Sequence, residues 1–192
     1  MAFNGVPPQP REIHWADDTS RVSYLVSSGN DLCLRVLVIA EGEQQEVGCG
    51  ELNASNPIGW MDDGQTLFYV RGDEDEIRLY DSVSREDRSA TNPTTFLDWS
   101  FDGLFPLPHT PYLIHHATFG RQVLEVINVE TAQLEPIVFT MQGFSDVEFV
   151  PAPDGRQIAM RLREQGMLGL VRLEEEVPIW VDSIACCSVE WD

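Results

Sequence analysis

The chain has 192 residues, 43% of them hydrophobic, with 12 basic against 32 acidic side chains and a formal net charge of −20. That length and apolar content suit one folded domain with a sizeable core and exclude a disordered or fibrous chain. The acidity, shared evenly by the two halves, repels nucleic-acid phosphate and anionic lipid, and no run reaches the roughly 18 apolar residues of a membrane span.

Residues 1–12 read as an N-terminal extension. Pro7, Pro8 and Pro10 stand where a secretory signal would carry its apolar stretch, so a cytoplasmic home is expected. A pattern then begins: an apolar residue, a spacer, an aromatic and an acidic tight turn. It reads Ile13-His14-Trp15-Ala16-Asp17-Asp18, followed by apolar runs over 22–26 and 32–39 that a turn at Gly29 separates. It returns as Ile58-Gly59-Trp60-Met61-Asp62-Asp63-Gly64, with runs at 66–70 and 77–80. The third copy is Leu97-Asp98-Trp99-Ser100-Phe101-Asp102-Gly103, with runs at 112–114 and 123–129. A looser fourth copy pairs Val147-Glu148-Phe149 with Pro153-Asp154-Gly155, and its run over 157–162 alternates apolar and polar residues as a half-buried strand does. The chain ends inside a fifth copy, Val189-Glu190-Trp191-Asp192.

The aromatic therefore recurs at positions 15, 60, 99, 149 and 191, roughly 40–50 residues apart, which is the period of a four-stranded propeller blade. No segment carries helical spacing with caps. The expected fold is all-β, with about four blades of four antiparallel strands and an incomplete ring. The blade boundaries are 13–57, 58–96, 97–146 and 147–188, and 189–192 opens a fifth inner strand. Asp-Gly supplies the positive φ of a tight turn. The preceding aromatic fills the space between blades, so Trp15, Trp60, Trp99 and Phe149 are expected at equivalent, mostly buried positions, with Trp191 starting the next set. Five inner-strand motifs serve only four sets of outer strands, which predicts that a second copy or another chain continues the ring, or that the sequence is one part of a longer propeller.

The segments WMDDGQTLFYV, WSFDG, PAPDGRQIAM and LEVINVETAQLEPI resemble the repeats of TolB-like, WD40-like propellers, which also occur in prolyl-oligopeptidase-type enzymes. The resemblance implies a propeller and says little about activity. Hydrolases of that kind keep their serine on a GxSxG elbow in a separate α/β domain, and neither elbow nor room for that domain is present. No catalytic residue, cofactor or metal site is assigned.

Other candidates favour structural roles. Cys33, Cys49, Cys186 and Cys187 lack CxxC spacing and read as strand thiols of a reducing compartment. His115 and His116 are adjacent on a strand and point to opposite faces; His14 and His109 are isolated. The acids at 73–76 and 174–176 read as solvated turns, because a calcium loop alternates its ligands around a glycine pivot. The segment from Leu104 to Pro111 looks like an insertion stiffened by three prolines. Leu104, Phe105, Leu107 and His109 are the candidate contacts for a partner, with apolar exposure expected there; the alternative is that the segment folds back over a blade edge or plugs the channel. The expected function is a non-catalytic interaction or scaffold module for a protein partner. The alternatives are a small-ligand or ion-binding sensor propeller, the propeller part of a larger hydrolase, and an acidic DNA mimic.

Overall fold

The chain folds into β-strands joined by tight turns, with no helix among the described residues. The computed structural model describes residues 11–50, 52, 57–72, 76–90, 100–118, 122–141, 147–162, 167–172 and 179–183. Two compact units divide the chain, Met1–Pro93 and Thr94–Asp192.

In the first unit, β1 (Arg11–Trp15), β2 (Arg21–Ser28), β3 (Asp31–Val38) and β4 (Glu43–Cys49) form one antiparallel sheet in chain order. A second sheet holds β5 (Ile58–Trp60), β6 (Thr66–Arg71), β7 (Glu76–Asp81) and β8 (Glu86–Ser89). The second unit repeats the plan with β9 (Ser100–Pro106), β10 (Tyr112–Thr118), β11 (Gln122–Asn128) and β12 (Gln133–Met141). Its other sheet contains β13 (Val147–Pro151), β14 (Gln157–Leu162), β15 (Met167–Arg172) and β16 (Ile179–Ser183). Each sheet is one meander, hence one blade. Hairpin connections permit antiparallel neighbours without crossovers.

The turn after each first strand sets the frame for comparing blades. A buried residue donates its N–H across the strand pair and accepts from the residue three on: Ala16 with Arg21 and Thr19, Met61 with Thr66 and Gly64, Ala152 with Gln157 and Gly155. Leu107 does the same with Tyr112 and Thr110. The third blade's turn is therefore Leu107–Thr110, and the expected turn at Asp102-Gly103 lies inside β9. The misreading has a physical cause. Phe101-Asp102-Gly103 imitates the motif, whereas the true turn carries His109-Thr110 in place of Asp-Gly, with the left-handed angle at His109 (φ 58°). Asp63 accepts from the N–H groups of Gln65 and Thr66, and Asp154 from that of Arg156. Thr110 Oγ1 replaces the carboxylate, accepting from the Tyr112 N–H while donating to the Leu107 carbonyl.

In this frame Trp15 and Trp60 are equivalent, but their counterparts in the later blades are Pro106 and Pro151. Phe149 lies two residues earlier, level with Ile13, Ile58 and Leu104. The expected equivalence of Phe149 with the tryptophans is thus corrected. Trp99 and Trp191 lie outside the described residues.

Neighbouring turns also stack. A Cβ placed on Gly155 would sit 1.9 Å from the Pro108 carbonyl oxygen, and one on Gly64 would sit 2.8 Å from the Asp18 carboxyl carbon. Both glycines have positive φ as well. Glycine is required twice here, for the backbone angle and for the approach of the adjacent blade.

Cross-strand partners share a face, so register sorts the side chains. Leu25, Leu34, Val36 and Val38 of the first blade pack against Ile58, Trp60, Leu67, Tyr69 and Tyr80 of the second. In the second unit Leu107, Ile114, Leu124 and Val126 meet Ile158, Met160 and Val171. Phe105 stacks on Phe149 with ring centroids 6.5 Å apart, and His116 meets Phe149 edge-on at 4.6 Å.

Candidate interaction surface

Call the face that a blade turns toward its predecessor the leading face and the opposite one the trailing face. The leading face of the second blade is well fastened to the trailing face of the first. Trp60 donates its indole N–H to the His14 carbonyl at 3.1 Å. Tyr80 donates to the Gln45 side-chain carbonyl at 3.1 Å, and Gln45 donates to the Ser82 carbonyl at 3.1 Å. Arg21 reaches the Gly64 carbonyl at 3.1 Å, and Arg85 pairs with Glu43. Behind Trp60, the Tyr69 hydroxyl donates to Asp87 at 2.9 Å, and Arg78 bridges Asp87 and Glu76 at 2.9 and 3.1 Å. Burial first, and then the Asp87 charge, hold the Tyr69 hydroxyl protonated well above the ordinary phenol range.

The leading face of the first blade carries the same side chains at the same level. Ile13, Tyr24 and Arg35 lie across one another as Ile58, Tyr69 and Arg78 do. Trp15 stands where Trp60 stands. Exposure separates them: Ile13 is 54% and Trp15 58% exposed, against 9% for Ile58 and 7% for Trp60. The expected burial of Trp15 is therefore corrected; burial of this ring requires a blade in front of it. On the same face Tyr24 and Leu37 are half-buried, Val22 and Val26 are buried, and Arg35 pairs with Glu46 at 3.2 Å. β1 begins with a bulge at Glu12, whose φ is 46°; such kinks discourage unspecific pairing at sheet edges.

Cys33 and Cys49, level with each other on β3 and β4 of this face, form a disulfide. The reading of both as free thiols is corrected. Their spacing gave no hint, since only antiparallel register makes them neighbours. Both sulfurs and a Glu46 carboxylate oxygen lie within 4.8 Å of one another. The sulfurs are bonded to each other, so this group is not a metal site in this state. Cys186 and Cys187 lie outside the described residues.

The segment from Leu104 to Pro111 behaves differently from the expected exposed loop. Leu104 is 8% exposed and Leu107 is fully buried. Phe105 is half-buried against Phe149, leaving His109 exposed at the turn. The stretch supplies one strand and its turn, so its apolar area goes to packing. His115 is buried with Nδ1 3.1 Å from Glu125 Oε2. The pair occupies the level held by Tyr69 and Arg78 in the second blade.

No family model matches the sequence, and no curated protein matches it. Solved structures do match in fold. TolB from Acinetobacter baumannii is 14% identical with a TM-score of 0.57, covering 90% of this chain and 43% of its own. An oligogalacturonate lyase from Vibrio parahaemolyticus is 13% identical with a TM-score of 0.62, covering 94% of this chain and 54% of its own. The β-propeller domain of the Trilobed protease from Pyrococcus furiosus, described as having an open velcro topology, is 8% identical with a TM-score of 0.65; the match covers 93% of this chain and 58% of that one. The chain thus spans about half the length of these structures. Its fold is that of TolB-like, WD40-like β-propeller blades.

Proposed function

We propose that this chain is a non-catalytic β-propeller module that recruits or scaffolds protein, with the leading face of the first blade as its contact surface. One observation carries the reading: Ile13 and Trp15 are exposed where their counterparts Ile58 and Trp60 are buried in a blade contact. A large aromatic presented with an aliphatic neighbour suits a protein anchor, since such side chains dominate interface energies. The net charge of −20 supports a protein partner over nucleic acid or an anionic membrane. The Cys33–Cys49 bond supports an oxidising compartment over the cytoplasmic home that the sequence suggests.

The test compares wild type with Ile13→Ser/Trp15→Ser as bait in an extract of the native host. Proteins retained by wild type and lost by the variant support the reading; identical retention overturns it. A second reading, the propeller portion of a longer enzyme, is favoured by the coverage of only 54% of the oligogalacturonate lyase chain. The full open reading frame distinguishes it, and a fluorophosphonate probe tests the first reading. Covalent labelling of this chain, abolished by replacing one serine, would exclude a non-catalytic role.

A further inference from the structure

We infer that Cys33, Cys49 and Glu46 are the donor set of a zinc site that a disulfide keeps closed. Oxidised, the two sulfurs bond each other; reduced, they hold a zinc ion together with the Glu46 carboxylate. The inference is independent of which protein covers the leading face of the first blade.

Strand register assembles the set. Cys33 of β3 and Cys49 of β4 lie directly across from each other, with Cα atoms 4.0 Å apart. Beside them the Gly50 N–H donates to the Leu32 carbonyl at 2.9 Å. They therefore occupy a non-hydrogen-bonded pair, the closer of the two antiparallel pairings. Glu46 joins them through an irregularity. Residues three apart in a regular strand face opposite sides of the sheet. Here Arg35 pairs with Glu46 and Leu34 with Gly48, so Val47 is an extra residue and the strand bulges. Val47 packs against the contact with the second blade, on the far side of the sheet, and Glu46 comes onto the face of Cys49. Both sulfurs and a Glu46 carboxylate oxygen consequently lie within 4.8 Å of one another. Bulges commonly re-aim a side chain beside a functional position.

The donors select the ion. Two thiolates and a carboxylate suit zinc, with water as the fourth ligand, whereas calcium and magnesium take oxygen throughout. Arg35 Nη2 lies 3.2 Å from Glu46 Oε2, the kind of outer partner that orients a ligating carboxylate. The net charge of −20 favours a bound cation. Cys49 gives access, being exposed while Cys33 is buried. A thiolate of a dithiol reductant attacks Sγ of Cys49, and the S–S electron pair leaves on Cys33, which takes up a proton. The reductant's second thiolate then closes its own disulfide and releases Cys49, which is protonated in turn. The dithiol has supplied two electrons and two protons. Zinc displaces the thiol protons as it binds.

The experiment is a calorimetric titration of the whole chain with zinc chloride, after reduction by a phosphine and anaerobic desalting, beside the oxidised chain. It is repeated in a Cys186→Ser/Cys187→Ser background, where Cys33 and Cys49 are the only thiols. Reduced protein is expected to bind one equivalent of zinc and release about two protons, because thiols of ordinary pKa enter as thiolates. Oxidised protein should show no such binding. Neither should Cys33→Ser/Cys49→Ser, which lacks the bond just as the reduced chain does. Glu46→Gln keeps both thiols and should weaken binding by about tenfold or more, the scale on which even an outer partner counts. Cobalt chloride in place of zinc should give thiolate-to-cobalt absorption, which identifies the donors even where the double serine variant fails to fold. Four results overturn the inference: no binding by the reduced chain; equal binding by the oxidised chain or the double serine variant; equal binding by Glu46→Gln; or loss of the β-sheet circular dichroism spectrum on reduction, since strand register brings the donors together.

Discussion

Trp60 places its indole ring between two blades and donates its N–H to a backbone carbonyl of the first. Removing a large aromatic from such a position costs about 3–5 kcal/mol. Trp60→Ala should accordingly lower the urea midpoint steeply at fixed protein concentration; a loss below about 1 kcal/mol would show that the ring is not core. Tyr69 makes a pH-dependent contribution. Its hydroxyl is raised by burial and by Asp87, so the folded state keeps a proton that the unfolded chain releases near pH 10. That stability is whole below the unfolded value and falls as pH rises through about 10 and beyond. Tyr69→Phe should be less stable near neutrality by about 1 kcal/mol, through the lost hydrogen bond, and should decline less on the alkaline side. Part of the slope will remain, because burial raises Tyr80 as well. An identical alkaline slope in wild type and variant would remove Tyr69 from the account.

The turns after the first strands follow from local chemistry, and each blade solves the same problem with its own residues. Asp63 and Asp154 cap the turn through a carboxylate, while Thr110 does so through a hydroxyl. Gly155 is the sharper constraint, because a Cβ there meets the backbone of the adjacent turn while φ is 68°. Gly155→Ala should cost on the order of 2–3 kcal/mol by combining backbone strain with a clash. Gly64→Ala should cost less, since the nearby atoms belong to the movable side chain of Asp18. Equal effects in the two variants would deny the backbone contact its role. Within the first blade, the Cys33–Cys49 bond closes a separation of 16 residues. Its loss in Cys33→Ala/Cys49→Ala should destabilise by about 2–3 kcal/mol. Alkylation without reductant, read by peptide mass, should spare both cysteines; modification of either would refute the bond.

At the scale of the whole chain, 32 acidic residues against 12 basic ones make self-repulsion the dominant long-range term. Raising sodium chloride from about 0.02 to 0.5 M should therefore raise the melting temperature, since salt screens surface charge. A melting temperature that falls would mean that local ion pairs such as Arg78 with Asp87 outweigh the field. The all-β character, the blade period and the strands around Ile58–Val70 and Gln157–Leu162 were legible from spacing alone. Alternation and turn chemistry are local properties, written within a few residues of where they act. The third blade was misread for the same reason, because Phe101-Asp102-Gly103 satisfies the local pattern while Leu107–Thr110 makes the turn. Pairing of Cys33 with Cys49 depends on strand register. The contrast between Trp15 and Trp60 depends on which blade lies in front. Sequence by itself determined the repeat and the kind of element it builds, whereas only the tertiary structure decided which copy of the repeated face is covered, because burial is a property of neighbours and not of the residue that is buried.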